Sequence, residues 1–223
     1  MQVSKALIQG LGQRKQKVQH KVHFFGISGV TNIADRPLTR RTEIRTLSDE
    51  EDIYSFLKER QAEEEYMPRA ADIAVVESGL ELGVETYIVM APHIFGVGTG
   101  SFNRFTFPVN MMMNGAKAHG KGFVIGTGDA VWSHIHVEDL ADLYLVLLKR
   151  VVDGETIASG KKGIYFAESG SNSQMEISQM VAKAGKDLGL LPSDEVEHVD
   201  LETGAKLFGG WGISMAESGG ASK

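Results

Sequence analysis

The sequence predicts an α/β protein organised around a mostly parallel sheet, on three observations. Helix-period and strand-like segments alternate through the first hundred residues, the grammar of consecutive βα units. The segment TYIVMAP, Thr86 to Pro92, is apolar without alternation, as expected of a strand covered on both faces. The composition, 42% hydrophobic and 23% charged in 223 residues, supplies one globular core, or one core with a small appended lobe.

The elements follow in order. Residues 4–16 have helical period, and the basic run Arg14 to Lys21 reads as a solvated helix end, because cations favour the last turn. Val22 to Ile27 is a short strand of β-formers closed by the small pair Ser28-Gly29. The segment from Val30 to Ser48 has no sustained period and holds Pro37, predicting a loop over the carboxyl edge of the sheet. At Ser48 the run S-D-E-E puts Glu51 at capping-box distance, so a helix is expected to start there and continue to about Glu65.

Pro68 interrupts that helix, and RAADIAVVESGLELG forms a second one, with Ile73, Val76 and Leu80 on one face and Gly83 at its end. Beyond Pro92 a glycine-rich loop leads into a core-facing helix holding Met111, Met112 and Met113. GKGFVIGTGDAVWSHIHV predicts a hairpin, and EDLADLYLVLLKRV an amphipathic helix burying Leu140, Leu143, Tyr144 and Leu147. GIYFAES reads as a strand and SQMEISQMVAKAGKDLGL as a helix. The final GGWGISMAESGGASK carries little core material and is expected to be flexible.

A formal charge of −6 argues against a partner recognised by its phosphate backbone, which needs clustered Lys and Arg, so no nucleic acid is expected. No stretch approaches the ~20 apolar residues of a membrane span, and the start lacks a signal peptide's apolar region, which predicts a cytoplasmic protein without a membrane partner. With no cysteine, disulfides and thiolate chemistry are excluded. Catalysis is left to Ser, Tyr, Lys, His or carboxylates.

Four segments, FFGISG, RAADIAVVESGLELGVETYIVMAPHIFGVGTG, WSHIHVEDLADLYLVLL and KGIYFAES, occur in order between Val22 and Leu191. In them the chain resembles the extended and atypical short-chain dehydrogenase/reductase superfamily, in particular fungal proteins described as NAD-dependent epimerase/dehydratase-like. The resemblance implies a Rossmann-like, doubly wound parallel sheet with a small α+β substrate lobe, and NAD or NADP as cofactor. It also implies an incomplete sheet. The chain opens directly on a helix-and-strand pair from the middle of such a sheet, with no strand-G-x-G-x-x-G turn before it, so it reads as the C-terminal two thirds of the family's length.

The resulting organisation is residues 1–100 as the later half of the cofactor domain, 101–208 as a substrate lobe interleaved with the last sheet elements, and 209–223 as a tail. A bared sheet edge makes self-association the expected interaction besides an unidentified small-molecule substrate. Two functions stay open: an NAD(P)-dependent epimerase/dehydratase or oxidoreductase, truncated here, and a catalytically silent remnant or regulatory binding protein.

The resemblance assigns Ser28, at its strand end, to orienting a substrate oxygen. For the family's Tyr and Lys two registers compete. Tyr54 and Lys58 have the Tyr-x-x-x-Lys spacing, which places both on one helix face, where an ammonium depresses a phenol's pKa. Aligning on the helix that follows puts Tyr66 in the Tyr position and Ala70 where Lys should be; Arg69 and Asp72 are then a helix-start salt bridge of the weak surface kind. Pro92 and His93, at the end of TYIVMAP, are expected to line the nicotinamide side of a cleft, although Ala91 stands where the family usually has arginine. Trp132 is placed at the border of a substrate pocket. His134, His136, Glu138 and Asp139 lack a third converging ligand, so no metal is predicted and Asp139 is expected to cap the following helix. Gly96 to Gly100 reads as a connecting loop, since a glycine cluster without strand-then-helix flanks is no phosphate cradle.

Overall fold

The computed structural model describes residues 2–18, 20–34 and 46–209. Most of the expected loop between Val30 and Ser48, and the tail beyond Gly209, lie outside them. The element order is α1 (Gln2–Lys15), β1 (His23–Gly29), α2 (Ile53–Glu63), α3 (Met67–Leu82), β2 (Glu85–Ala91), β3 (His93–Phe95), α4 (Phe107–His119), β4 (Gly122–Ile125), β5 (Val131–His136), α5 (Val137–Val152), β6 (Ile164–Phe166), β7 (Gly170–Ser173), α6 (Gln174–Asp187), β8 (Val196–Val199) and α7 (Leu201–Leu207).

The first sheet is all parallel, in the order β1-β2-β6. Its centre is β2, and the unbroken apolar run resolves there into two faces. Ile88 and Met90 point into a core shared with Ile8 of α1, Leu57 of α2 and Ile73 and Val76 of α3. Val89 and Ala91 point the other way, against Leu140 and Leu147 of α5. Side chains alternate across a strand, so a strand covered by helices on both sides must be apolar at every position. This is the doubly wound arrangement that the sequence predicts.

The helices stop where their chemistry dictates. Gly83 ends α3 in the left-handed conformation, φ 63°, and its carbonyl accepts a hydrogen bond from Lys15 Nζ at 2.6 Å, tying the basic end of α1 to the end of α3. Pro68 stands in the first turn of α3, where a missing N–H is harmless. Leu80, expected on the buried face, is 54% exposed: Ile73 and Val76 already fill the contact with the sheet. At Ser48 the Glu51 carboxylate does reach back to the Ser48 N–H at 2.9 Å, but the helix begins later, capped by Asp52 on the Ser55 N–H.

Two smaller sheets carry the rest. One has the order β3-β5-β7, with β3 and β5 parallel and β5 and β7 antiparallel; the other pairs β4 with β8 in parallel. The hairpin expected over 120–137 is therefore corrected. All four residues of β4 are buried and pair with β8, whereas β5 crosses to β3. Gly126 and Gly128, both at positive φ, form the turn that sends the two strands to different sheets. Met112 is buried in the second core with Phe123, Trp132 and Ile177, as the Met-rich helix predicts. No helix is long and apolar enough to cross a membrane among the described residues.

Candidate functional site

The carboxyl ends of β1 and β2 lie side by side, with Ser28 paired to Met90 and Gly29 to Ala91. Beyond β1 a 3-10 turn over Val30–Asn32 swings Asn32 back over the strand end. There it meets α3 in a compact polar cluster. Ser28 donates to Asp72 Oδ2 at 2.7 Å, and Asn32 Nδ2 donates to the same oxygen at 2.5 Å and to Ser28 Oγ at 3.0 Å. Asn32 is fully buried and its Oδ1 has no hydrogen-bond partner among the described residues. Burial raises the Asp72 carboxyl above its ordinary range, and the bonds from Ser28 and Asn32 oppose that rise without cancelling it.

Arg69 locks the cluster from below. Its Nε donates to the Asn32 carbonyl at 2.8 Å, and its Nη1 to the carbonyls of Arg60 and Glu64 at the end of α2. The guanidinium thus caps one helix while holding the turn of another element, and the Tyr66 ring lies 5.5 Å from it. Arg69 and Asp72 are 2% and 7% exposed, which corrects the expectation of a weak surface pair.

Tyr54 and Lys58 do share one face of α2, as their spacing predicts. Both converge on Glu77 of α3: the phenol donates to Oε1 at 3.1 Å and the ammonium to the same atom at 2.8 Å. The phenol pKa is raised, first by burial and then by the Glu77 carboxylate, with the ammonium's opposing pull the smallest effect. The expected depression by Lys58 is therefore corrected: a carboxylate sits between the two groups and binds both. The recorded polar contacts of Ser28 run to Asp72 and Asn32, and those of Tyr54 to Glu77.

His93 opens β3 directly after Pro92, and pairs with His134 of β5 across the parallel ladder. The two imidazoles line one wall of a cavity of about 240 Å³ that also receives Phe95, Val109, Asn172, Ile177 and Met180. His93 Nε2 and His134 Nδ1 are themselves buried, with no hydrogen-bond partner among the described residues. Desolvation, with a smaller push from His134, holds the His93 pKa down at about 4. Trp132 lies behind, its ring 5.6 Å from that of His93. Gly96, at φ 101°, lets the chain pass against the His136 ring, where a Cβ would collide.

His136, rather than Asp139, caps α5, its Nδ1 accepting from the Glu138 N–H at 3.3 Å; Asp139 lies inside the first turn, near the helix's positive end. The sequence reading missed Asn32 and the pairing of His93 with His134. An amide four residues after a strand-end serine is a usable signal for the first. The second needs the register of strands forty residues apart, which no local pattern carries.

Residues 57–160 match the family model described as the NAD dependent epimerase/dehydratase family. The chain is similar to Oxidase ucsJ of Acremonium sp, with 22% identity over 212 residues, 91% of this chain and 61% of that protein. Among solved structures it is similar to a DesIV double mutant, a dTDP-glucose 4,6-dehydratase from Streptomyces venezuelae with NAD and DAU bound, at TM-score 0.56, 13% identity, 88% of this chain and 52% of that one. It is similar as well to UDP-glucose 4-epimerase of Thermotoga maritima with UDP-glucose, at TM-score 0.51, 10% identity, 86% of this chain and 55% of that one. The chain thus spans 61% of the curated relative and about half of each solved structure. The structural likenesses establish a Rossmann-like fold. The family match bears out the resemblance to the epimerase/dehydratase branch of the short-chain dehydrogenase/reductase superfamily.

Proposed function

We propose that this chain forms the substrate-side part of an NAD(P)-binding epimerase/dehydratase-like or oxidoreductase-like protein, with the nicotinamide end of the cofactor at the carboxyl edge of β1 and β2. The observation that carries the reading is the register of Gly29 with Ala91, which sets the end of β1, with Ser28, beside the Pro92–His93 exit of β2. In open α/β sheets ligands sit outside the carboxyl ends of the strands.

The residues at this edge suit the nicotinamide half of a dinucleotide. His93 is neutral at pH 7 and its Nε2 is an orphaned polar atom, a match for an uncharged ring and its amide. The pyrophosphate half would need a glycine turn at a helix start, and the described residues hold none. When bound, the nicotinamide supplies hydride chemistry. Of the chain's own residues, Ser28 and His93 position the ligands, and the covered sheet behind β2 excludes water from that side.

A second reading, a binding or regulatory protein without turnover, is favoured by one observation. The Ser28 proton is committed to Asp72, and the Tyr54 phenol is held above its usual pKa by burial and then by Glu77. Both groups are then poorly placed to move a proton. Titration of the chain with NADH, following cofactor fluorescence, tests the cofactor proposal: saturable binding is expected, weakened about tenfold by His93→Ala. A flat titration would reject the cofactor site. If binding is saturable, turnover of carbonyl probes followed by NADH absorbance separates the two readings.

A further inference from the structure

Every phenylalanine that the chain exposes lies in one short stretch. Phe95, Phe102, Phe105 and Phe107 are 38%, 92%, 62% and 47% exposed, and the rest of the chain's ten phenylalanines are buried or half-buried. Val97, also exposed, stands among them. Single apolar side chains on a surface need no explanation, but a cluster of large ones marks a face that another molecule or phase covers.

The stretch is a hairpin leading from β3 into α4. Val97 on one arm bridges Phe105 on the other in antiparallel pairing, which puts both side chains on one face. The Gly98 N–H donates to the Arg104 carbonyl at 2.8 Å, and Arg104 Nε donates to the Gly98 carbonyl at 2.6 Å. Thr106 Oγ1 donates to the Ile94 carbonyl at 2.8 Å and fastens the returning arm to β3. The arms thus pair their polar groups internally, as a segment must where the surroundings offer no partner to a backbone N–H or C=O. Residues Thr99 to Asn103 form the exposed tip, and Phe102 has almost no protein around it.

Charge narrows the choice of partner. No Asp or Glu occurs from Thr86 to Gly128, in a chain that holds 29 of them and carries a formal charge of −6. The same stretch contains Arg104, Lys117 and Lys121. Lys121 reaches Glu195 at 3.6 Å, whereas the recorded bond of Arg104 uses Nε and its side chain is exposed. An anionic surface attracts such a hairpin and repels the acid-rich remainder of the chain, which orients the molecule tip first. A fluid bilayer also accepts a projecting ring without a complementary groove.

We propose that this hairpin docks the protein on an anionic lipid bilayer, with the Phe102 and Phe105 rings entering the boundary between headgroups and acyl chains and Arg104 meeting lipid phosphates. The tip backbone stays at headgroup level. The expectation of no membrane partner rests on the absence of a spanning segment, which a peripheral contact of this kind does not need. The docking face is independent of the cofactor reading.

Flotation of the full chain with vesicles of phosphatidylcholine and phosphatidylglycerol in equal parts tests the assignment. The chain should rise with these vesicles and more weakly with pure phosphatidylcholine. Phe102→Ser, at a position that packs against little of the protein, should melt like the parent and lower partitioning about tenfold or more. Arg104→Gln should lower it about fivefold on the anionic vesicles and leave the neutral ones unaffected. Val152→Ser, on α5 and 82% exposed, removes an apolar side chain elsewhere on the surface and should change nothing.

A chain that stays with the buffer, a Phe102→Ser variant that floats as well as the parent, or a Val152→Ser variant that loses as much as Phe102→Ser would each overturn the assignment. Light scattering of parent and Phe102→Ser without lipid completes the test: an oligomer that the substitution dissociates, with vesicle binding unchanged, would give the hairpin to a second copy of the chain instead.

Discussion

The ends of two neighbouring strands treat their polar groups in opposite ways. At the end of β1, Ser28, Asn32, Asp72 and Arg69 bind one another and the surrounding backbone. Beyond the end of β2, on β3 and β5, His93 and His134 line a cavity, and each keeps a buried ring nitrogen without a partner among the described residues. The first arrangement is what a fold needs to fasten a loop and two helices. The second is what a ligand needs to find. Their responses to acid differ as well: burial raises the Asp72 pKa and lowers that of His93, so protonation favours the folded state at one site and opposes it at the other.

The largest expected effect tests whether the β1 cluster is structural. Arg69→Ala removes the donor to three backbone carbonyls, those of Asn32, Arg60 and Glu64. The Arg60 carbonyl keeps the Glu64 N–H, but those of Asn32 and Glu64 lose their donor; at about 1–3 kcal/mol for each, a loss of ~2 kcal/mol or more is expected in urea unfolding. Arg69→Lys should recover only part of it, because a single ammonium cannot span the three acceptors that the planar fork reaches. A loss below ~1 kcal/mol would break the contrast between a fastening site and a binding site.

A smaller effect isolates the histidine side. The folded pKa of His93, about 4, lies below its ordinary 6.5, so between those values the unfolded chain binds more protons than the folded one. Stability from this group is therefore full above pH 6.5 and lost as pH falls toward 4. Partial exposure trims the amount to roughly 2 kcal/mol. Urea midpoints measured from pH 7 to pH 4 should show this loss in the parent chain and lose that component in His93→Gln, whose amide does not titrate. An unchanged slope in the variant would mean that the cavity wall is wetter than its burial implies.

What the sequence made legible, and what it did not, follows the same division. The doubly covered sheet was readable because TYIVMAP states its burial on both faces, and the break between α2 and α3 because Pro68 fits only a first turn. Tyr54 and Lys58 were found by spacing, yet spacing says nothing about Glu77, nineteen residues from Lys58, which captures both. The hairpin expectation failed for a related reason. Two short strands joined by glycines look alike whether they pair or part, and the decision belongs to β8 and β3, distant in sequence. The cavity was illegible altogether. It exists only where β3, β5, β7, α4 and α6 close around it, and a void has no residue pattern of its own.

The finest test of the contrast is Ser28→Ala, because Ser28 is the member of the fastened cluster that also stands at the proposed ligand edge. If its main work is to brace Asp72, the variant loses one hydrogen bond to a buried carboxylate while Asn32 keeps the other. The cost should be about 1 kcal/mol. The Ser28 hydroxyl is also one of two bonds holding the Asp72 pKa down against burial, so removing it must raise that pKa further. A carboxyl-carbon NMR titration should show the Asp72 midpoint moving up, and the window above 3.8, in which rising pH costs the folded state, should widen with it. NADH binding should meanwhile fall less than it does in His93→Ala, since the serine's proton already belongs to Asp72. If Ser28→Ala instead leaves Asp72 where it was and abolishes NADH binding, the serine faces the ligand rather than the brace. The line between fastening and binding would then run through β1 itself, not between β1 and β2.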